Sequence, residues 1–593
     1  MASRIQILGI EPVVDCGRFG AKACVGDEVR VSATVFRDGH EVLGAALRVK
    51  PPGATRWRDE PMDDLGNDRF AASFTPDASG RWSYRIEAWV DPVASFQWEL
   101  RRKVEGGQRE LSSELAEGAL LLRRDELTVE EALAAEPNQK LEKTASQTLY
   151  LEVDRQLARF GAWYELFPRS WGGFAGVEKL LPRFAELGFD VLYLPPVHPI
   201  GETNRKGRNN ALAAGPEDPG SPWAIGGAEG GHTAINPELG SQADFERLVS
   251  RAREHGLEIA LDYAIQTSPD HPWLKEYPEW FHRRPDGTLK YAENPPKRYQ
   301  DIYNVNFDTE DREGLWNALR DAMLFWVERG VRVFRVDNPH TKPVPFWEWL
   351  ISEVRAREPE IVLLSEAFTR PAMMTTLGKA GFQQSYTYFT WKNTRHELTE
   401  YMTQLTRSAL PEFFRPNFFA NTPDILHEYL QRGGRPAFEG RLVLAATLSP
   451  SYGIYSGFES CENVPAAAGS EEYLDSEKYE AKERKLDGEL LPLVQKLNAI
   501  RREHAALQRL ENLRWLETEN EQLIAYAKDD VLVVVNLDPR HPQEGVTVIP
   551  AALGLPPAFT VRDLLADENH AWRIGRNYVR LGPGQSHILH VRR

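Results

Sequence analysis

At 593 residues the chain is too long for one domain and long enough to bury several cores. Its 71 Lys and Arg against 87 Asp and Glu give a net charge of −16, which disfavours nucleic acid as a partner but leaves room for a small phosphorylated ligand in a local basic pocket. Three cysteines, Cys16, Cys24 and Cys461, match neither a disulfide framework nor a zinc site, Met1 to Gln6 lacks the apolar core of a signal peptide, and no run reaches a membrane span.

A cytoplasmic protein without membrane contact is therefore expected. The first stretch reads as short strands: Val29 to Phe36 is strand-rich, Asp38-Gly39 is a turn, and Trp82, Tyr84, Ile86, Ala88 and Val90 alternate with polar neighbours. An Ig-like β-sandwich is expected over 1–107, followed by a charged helical connector over 108–158. From 159 to 508, apolar runs alternate with amphipathic helices. The runs are Gly161 to Phe167, Val191 to Pro195, Glu258 to Tyr263, Val331 to Val336, Ile361 to Leu364, Gln384 to Phe389, Phe414 to Asn421 and Tyr452 to Gly457. Eight strands with helices between them predict an α/β fold of the (β/α)8 TIM-barrel type rather than an open sheet. Insertions are expected near 198–236, 264–311 and 460–487, and a C-terminal antiparallel β-domain over 509–593, from Leu523 to Tyr526, Val531 to Leu537 and Ser586 to His590.

Asp337 and Glu366 each end an apolar run, with an amphipathic helix between them, so a barrel brings both acids to its C-terminal face. Taken alone, Asp337 reads equally as a turn acid. An inward Arg335 two residues earlier favours an ionised, nucleophilic Asp337, and the apolar setting of Glu366 favours a raised pKa and a proton donor. Asp424 alone reads as a helix N-cap, and Asp262 ends the third run; four strand-end carboxylates around Arg335 make the bland readings jointly improbable.

In this set the chain resembles the α-amylase superfamily of glycoside hydrolases and transglycosylases, through Asp262, Arg335-Val336-Asp337, Ser365-Glu366 and Asp424 in order. The resemblance implies Asp337 as nucleophile, Glu366 as general acid/base and Asp424 as a ligand of sugar hydroxyls. The chain departs from the usual amylase pattern at Gln266-Thr267, Pro423 and His340-Thr341. With Tyr164 to Ser170, Pro195 to Gly201, Asn204 to Asn210 and Glu293 to Tyr299, these departures are similar to one branch, the α-1,4-glucan:maltose-1-phosphate maltosyltransferases.

That resemblance implies α-maltose 1-phosphate as donor, an α-1,4-glucan as acceptor, inorganic phosphate as product, and a homodimer. It favours Asn294, Lys297, Tyr299 and Asn338 as phosphate contacts, with Gln266 and Ser221 beside them, and Lys206, Lys478 and Tyr479 on the donor sugar. Asn294, Lys297, Arg298 and Tyr299 fall within six residues, a density of donors that suits a phosphate, or else a solvated loop. Lys478 alone reads as a surface charge, and His232 as a structural histidine. No cofactor or metal is expected, since His198, His232, His271 and His340 lack a ligating spacing. Two alternatives remain on the sequence: a hydrolase of α-1,4-glucans on the same scaffold, and a non-catalytic glucan-binding barrel.

Overall fold

The structure, a computed structural model, describes residues 3–136, 140–294 and 297–592, and of Asn294 and Lys297 the backbone only. The chain divides into two compact units, 1–155 and 156–593.

The first unit holds two sheets. Strand Val29–Phe36 lies between Gln6–Glu11 and Arg69–Phe74, and its buried positions alternate strictly, as a half-buried strand requires. In the second sheet the eleven-residue strand Gly80–Val90 buries Trp82, Tyr84, Ile86, Ala88 and Val90 on one face. Here the expected boundaries need correction. Helices begin at Pro92, capped by the Asp91 side chain, and occupy Pro92–Glu105, Ser112–Leu122 and Val129–Ala134. The chain then returns to the sheet: Leu141–Ala145 and Leu149–Asp154 both pair with Gly80–Val90, so 108–158 is not a helical connector. Leu149, Leu151 and Val153 alternate with polar or exposed neighbours, and this period of two outweighs the charged composition around them.

The second unit is a (β/α)8 barrel with an antiparallel domain behind it. The barrel strands are β1 (Gly161–Glu165), β2 (Val191–Leu194), β3 (Glu258–Tyr263), β4 (Val333–Val336), β5 (Val362–Ser365), β6 (Gln384–Ser385), β7 (Asn417–Phe419) and β8 (Ser451–Tyr455). The helices are α1 (Gly173–Glu186), α2 (Gln242–Glu254), α3 (Arg312–Glu328), α4 (Val344–Arg357), α5 (Pro371–Ala380), α6 (Arg395–Arg407), α7 (Glu428–Leu448) and α8 (Leu491–Glu503). All neighbouring strands are parallel, and a bridge from Ser385 to Pro416 closes β6 onto β7. β6 is shorter than the run from Gln384 to Phe389 suggests, because Thr387 accepts from the Phe389 amide and turns the chain into a one-turn helix.

Inward residues fill the barrel: Trp163, Tyr193, Ala260, Val333, Val362, Leu364, Tyr386 and Phe419 form one buried cluster. α3 buries Leu315, Leu319, Ala322, Met323 and Trp326 and stops before Gly330, whose φ of +96° suits glycine. α2 and α6 start with capping boxes, Ser241 with Asp244 and Thr394 with Glu397. The C-terminal domain is an eight-stranded antiparallel sheet over Leu513–Arg592. Its Thr518 and Asn520 accept hydrogen bonds from Arg395 on α6.

Candidate active site

Side chains alternate along a strand, so every second residue of a barrel strand faces inward. Continuing each inward row towards the C-terminal end takes Trp163 to Glu165, Ala260 to Asp262, Val333 through Arg335 to Asp337, and Leu364 to Glu366. All four end positions, and Arg335 below Asp337, are buried. Register holds them level, with Asp262 opposite Arg335 and Arg335 opposite Leu364. The Asp337 amide donates to Tyr263 O and the Glu366 amide to Val336 O, which carries the ladder one residue past each strand.

Arg335 is the hub. Its Nη1 donates to Asp262 Oδ2 at 2.7 Å and Asp337 Oδ1 at 2.8 Å, and its Nη2 lies 2.5 Å from Glu366 Oε1. Tyr193 adds its hydroxyl to Asp262 Oδ2 at 2.6 Å. Burial pushes Asp337 up, but Arg335, Lys342 and the Asn338 amide outweigh it and leave the carboxyl below the usual carboxylate range. Burial pushes Glu366 up as well, and with Asp337, Asp424 and Asp262 nearby Arg335 does not offset it, so Glu366 stays well above that range. Asp262 is pushed up to about 7 and Glu165 is also raised, both mainly by burial. The two acids at the ends of β4 and β5 thus favour opposite protonation states, the pairing required of a nucleophile and a proton donor.

Asn338 sits at φ +42° directly after Asp337, which aims its side-chain amide at Asp337 Oδ2 (3.2 Å) and its backbone N–H at Glu366 Oε2 (3.3 Å). Asn tolerates this left-handed conformation better than most residues. Asp424 is not a helix N-cap. α7 is capped by His427, which accepts from the Tyr429 amide, while the Asp424 carboxylate faces the cleft and pairs with Lys478. Lys478 is accordingly no surface charge: its side chain is only 12% exposed and lies 5.6 Å from the Trp223 ring centroid. Tyr479 beside it is buried too.

Three excursions wall a cleft of about 510 Å³ over these acids. They are tied to one another. Arg169 donates to Gly220 O at 2.9 Å and to Glu477 O; Asn209 and Asp475 exchange two hydrogen bonds; Lys206 Nζ donates to Gln300 Oε1 at 2.6 Å. Gln266, Tyr299, Asn338, Ser221, Lys478 and Tyr479 line the cleft with the three acids. Lys206 stands behind the wall beside Asp301. Arg298 is exposed and is not part of this lining, though it stands 3.9 Å from Glu293, which is. The Asn294 and Lys297 side chains lie outside the described residues; their backbones form the tip of a hairpin on the cleft's rim.

Sequence reasoning passed over Lys342, Trp223, Asp301, Phe368 and Trp391, which also line the cleft. Lys342, whose Nζ donates to Asn338 O at 3.2 Å, directly follows His340-Thr341, and its proximity to Asp337 was the available signal. Aromatic faces here offer platforms for sugar rings. His198, His232 and His271 form a buried cluster away from the acids. Burial pushes His198 to about 3, His232 to about 4 and His271 to about 2, so they are neutral packing groups, as expected for His232.

A parallel barrel with acids at the ends of β3, β4 and β5 gathered by one arginine, and a further acid after β7 paired with a lysine, defines an enzyme of the α-amylase class. Solved α-amylases agree in fold: one from Lactobacillus plantarum (TM-score 0.58, 23% identity, 74% of this chain and 100% of that one) and a maltogenic one from Thermotoga neapolitana (0.58, 19%, 74% and 100%). The family description "Alpha-1,4-glucan:maltose-1-phosphate maltosyltransferase, domain N/S" matches residues 3–165, and "GLGE, C-terminal" matches 515–591. Proteins named alpha-1,4-glucan:maltose-1-phosphate maltosyltransferase from Streptomyces coelicolor (number 2 of that species), Pseudomonas aeruginosa and Chlorobaculum tepidum are 50%, 47% and 45% identical. The matches cover 100%, 98% and 99% of this chain and 96%, 95% and 96% of those proteins. The chain belongs to the α-1,4-glucan:maltose-1-phosphate maltosyltransferase family.

Proposed function

We propose that this protein is a retaining glycosyltransferase that moves maltosyl units from α-maltose 1-phosphate to the non-reducing end of α-1,4-glucans and releases inorganic phosphate. The observation that carries the reading is the pair of acids on Arg335 with opposite proton preference, Asp337 ionised and Glu366 protonated.

The Asp337 carboxylate attacks the anomeric carbon as its bond to the phosphate oxygen breaks, and Glu366 gives that oxygen its proton. This leaves a β-maltosyl ester on Asp337 and an ionised Glu366. Glu366 then takes the proton of the glucan 4-hydroxyl, whose oxygen attacks the anomeric carbon and expels Asp337. Two inversions restore the α configuration. Arg335 holds Asp337 in line, and Asp424 with Lys478 engages ring hydroxyls. Tyr479 serves the donor sugar directly, and Lys206 supports that wall from behind through Gln300. Gln266, Ser221, Tyr299 and Asn338 face the leaving phosphate with Asn294 and Lys297, and Lys342 contributes buried positive charge beside it.

Incubation with inorganic phosphate and maltooligosaccharides tests the reading. Release of maltose 1-phosphate is expected, and its loss in Asp337→Ala with the fold intact. Free sugars alone would make the protein a hydrolase, and failure of a fluorinated maltosyl donor to label Asp337 would leave a binding barrel. We further propose a cytoplasmic homodimer joined through the N-terminal unit, whose Trp98, Leu120 and Leu141 are exposed apolar groups. No helix among the described residues is long and apolar enough to cross a membrane. Sedimentation of wild type against Leu120→Glu checks the dimer.

A further inference from the structure

Far along the chain from the cleft residues, the C-terminal sheet gathers one carboxyl and two imidazoles. Strand Ala558–Asp563 lies between Glu568–Arg573 and Ser586–Arg592, all antiparallel. Val561 pairs with His570, and Asp563 with Leu589. Asp563, His570 and His587 therefore share one face of the sheet. Their ligand atoms all lie within 4.8 Å of one another. His587 Nδ1 is 2.6 Å from Asp563 Oδ2, while Asp563 Oδ1 accepts the Leu565 amide at 2.9 Å, which fixes the carboxylate in the turn after the strand. A turn acid that holds one histidine accounts for that much. It does not account for His570, whose Nε2 is buried with no hydrogen-bond partner.

We propose that Asp563 Oδ2, His570 Nε2 and His587 Nδ1 bind one divalent transition-metal ion of the zinc type, with water as fourth ligand. Two imidazoles and one carboxylate suit zinc, whereas magnesium and calcium take oxygen sets. The ion displaces the proton between His587 and Asp563, which leaves to solvent. With bonds near 2 Å, neighbouring ligand atoms of a tetrahedron stand roughly 3.3 Å apart. The His587–Asp563 pair then opens slightly from 2.6 Å, and His570 swings inward. The ion would pin the hairpin 558–573, which carries an end strand of the sheet, to Ser586–Arg592.

The full chain, stripped with EDTA, is titrated with zinc chloride and, separately, cobalt chloride. One zinc per chain should survive gel filtration and raise the Tm, and cobalt should give the intense visible bands of a four-coordinate site. His570→Ala, which keeps the Asp563–His587 hydrogen bond, should lose all three signals, whereas His541→Ala, at a separate exposed His–Asp pair, should keep them. No retained zinc in the wild type, a pale six-coordinate cobalt spectrum, or wild-type binding by His570→Ala would overturn the proposal. The cobalt spectrum needs no variant, so misfolding of one does not blunt the test.

Discussion

The Arg335 guanidinium reaches Asp262, Asp337 and Glu366 within hydrogen-bonding distance, yet only Asp337 ends below the ordinary carboxylate range. The difference lies in what else each acid meets: Asp337 also has Lys342 and the Asn338 amide, while Glu366 and Asp262 have further carboxylates. Glycosylation by the proposed mechanism needs Asp337 ionised and Glu366 protonated. The rate should fall on the acid side as pH drops through the lowered pKa of Asp337, and on the alkaline side as pH rises through the raised pKa of Glu366. Arg335→Lys keeps one charge but loses the fork that reaches three acids. Both acids lose a lowering influence, so both limbs of the kcat/KM profile should move to higher pH, with kcat down by roughly 10²-fold from misplacement of Asp337. An acid limb that stays in place would show that Arg335 does not set the state of Asp337.

At the scale of elements, the excursion over 460–487 brings Lys478 to Asp424, 54 positions away. Tyr455 at the end of β8 donates to Glu477 at 2.5 Å, and Arg484 donates to it at 2.7 Å, so the loop is fastened on both sides of Lys478. Lys478→Ala should therefore raise the donor KM by about 10-fold, or about 1.4 kcal/mol, with kcat little changed, because in the proposed mechanism the pair orients a sugar ligand rather than a reacting atom. Steady-state kinetics with maltose 1-phosphate checks this, and a loss confined to kcat would contradict it. This tie also marks where sequence reading stopped. Asp337, Glu366 and Arg335 were legible because strand periodicity and chain order place them. Lys478, Trp223 and Asp301 reach the cleft through loop contacts that carry no period, and without the family resemblance Lys478 looks like any solvated charge. Strand Leu149–Asp154 had the period but lay in a charged stretch, and composition obscured it.

At the scale of the second unit, the C-terminal sheet meets α7 through a buried lysine. Lys528 Nζ donates to Thr447 O at 3.3 Å, and burial pushes its pKa down to about 7. Between about 7 and the unfolded value near 10.4, the unfolded chain holds a proton that the folded one has released, so stability rises with pH across that window. Lys528→Met removes the penalty. It should raise the stability more at pH 6 than at pH 9, by on the order of a few kcal/mol at the lower pH, with the Tm moving the same way; calorimetry at the two values checks it, and an equal gain at both would exclude titration of Lys528 as the cause.

The barrel itself is closed unevenly. β6 has two residues and meets the segment before β7 through the Ser385 amide on Arg415 O, helped by the Asn417 side chain on Gln384, whereas the junctions from β1 round to β5 pair at three or four positions. A cylinder relaxes first along its weakest join. Asp262, Arg335 and Asp337 ride the well-paired arc opposite that join, and Asp424 stands across it. Any give at that join would alter the distance between Asp337 and Asp424, and Lys478, next to a Glu477 held by Tyr455 on β8, ties Asp424 to the better-paired side.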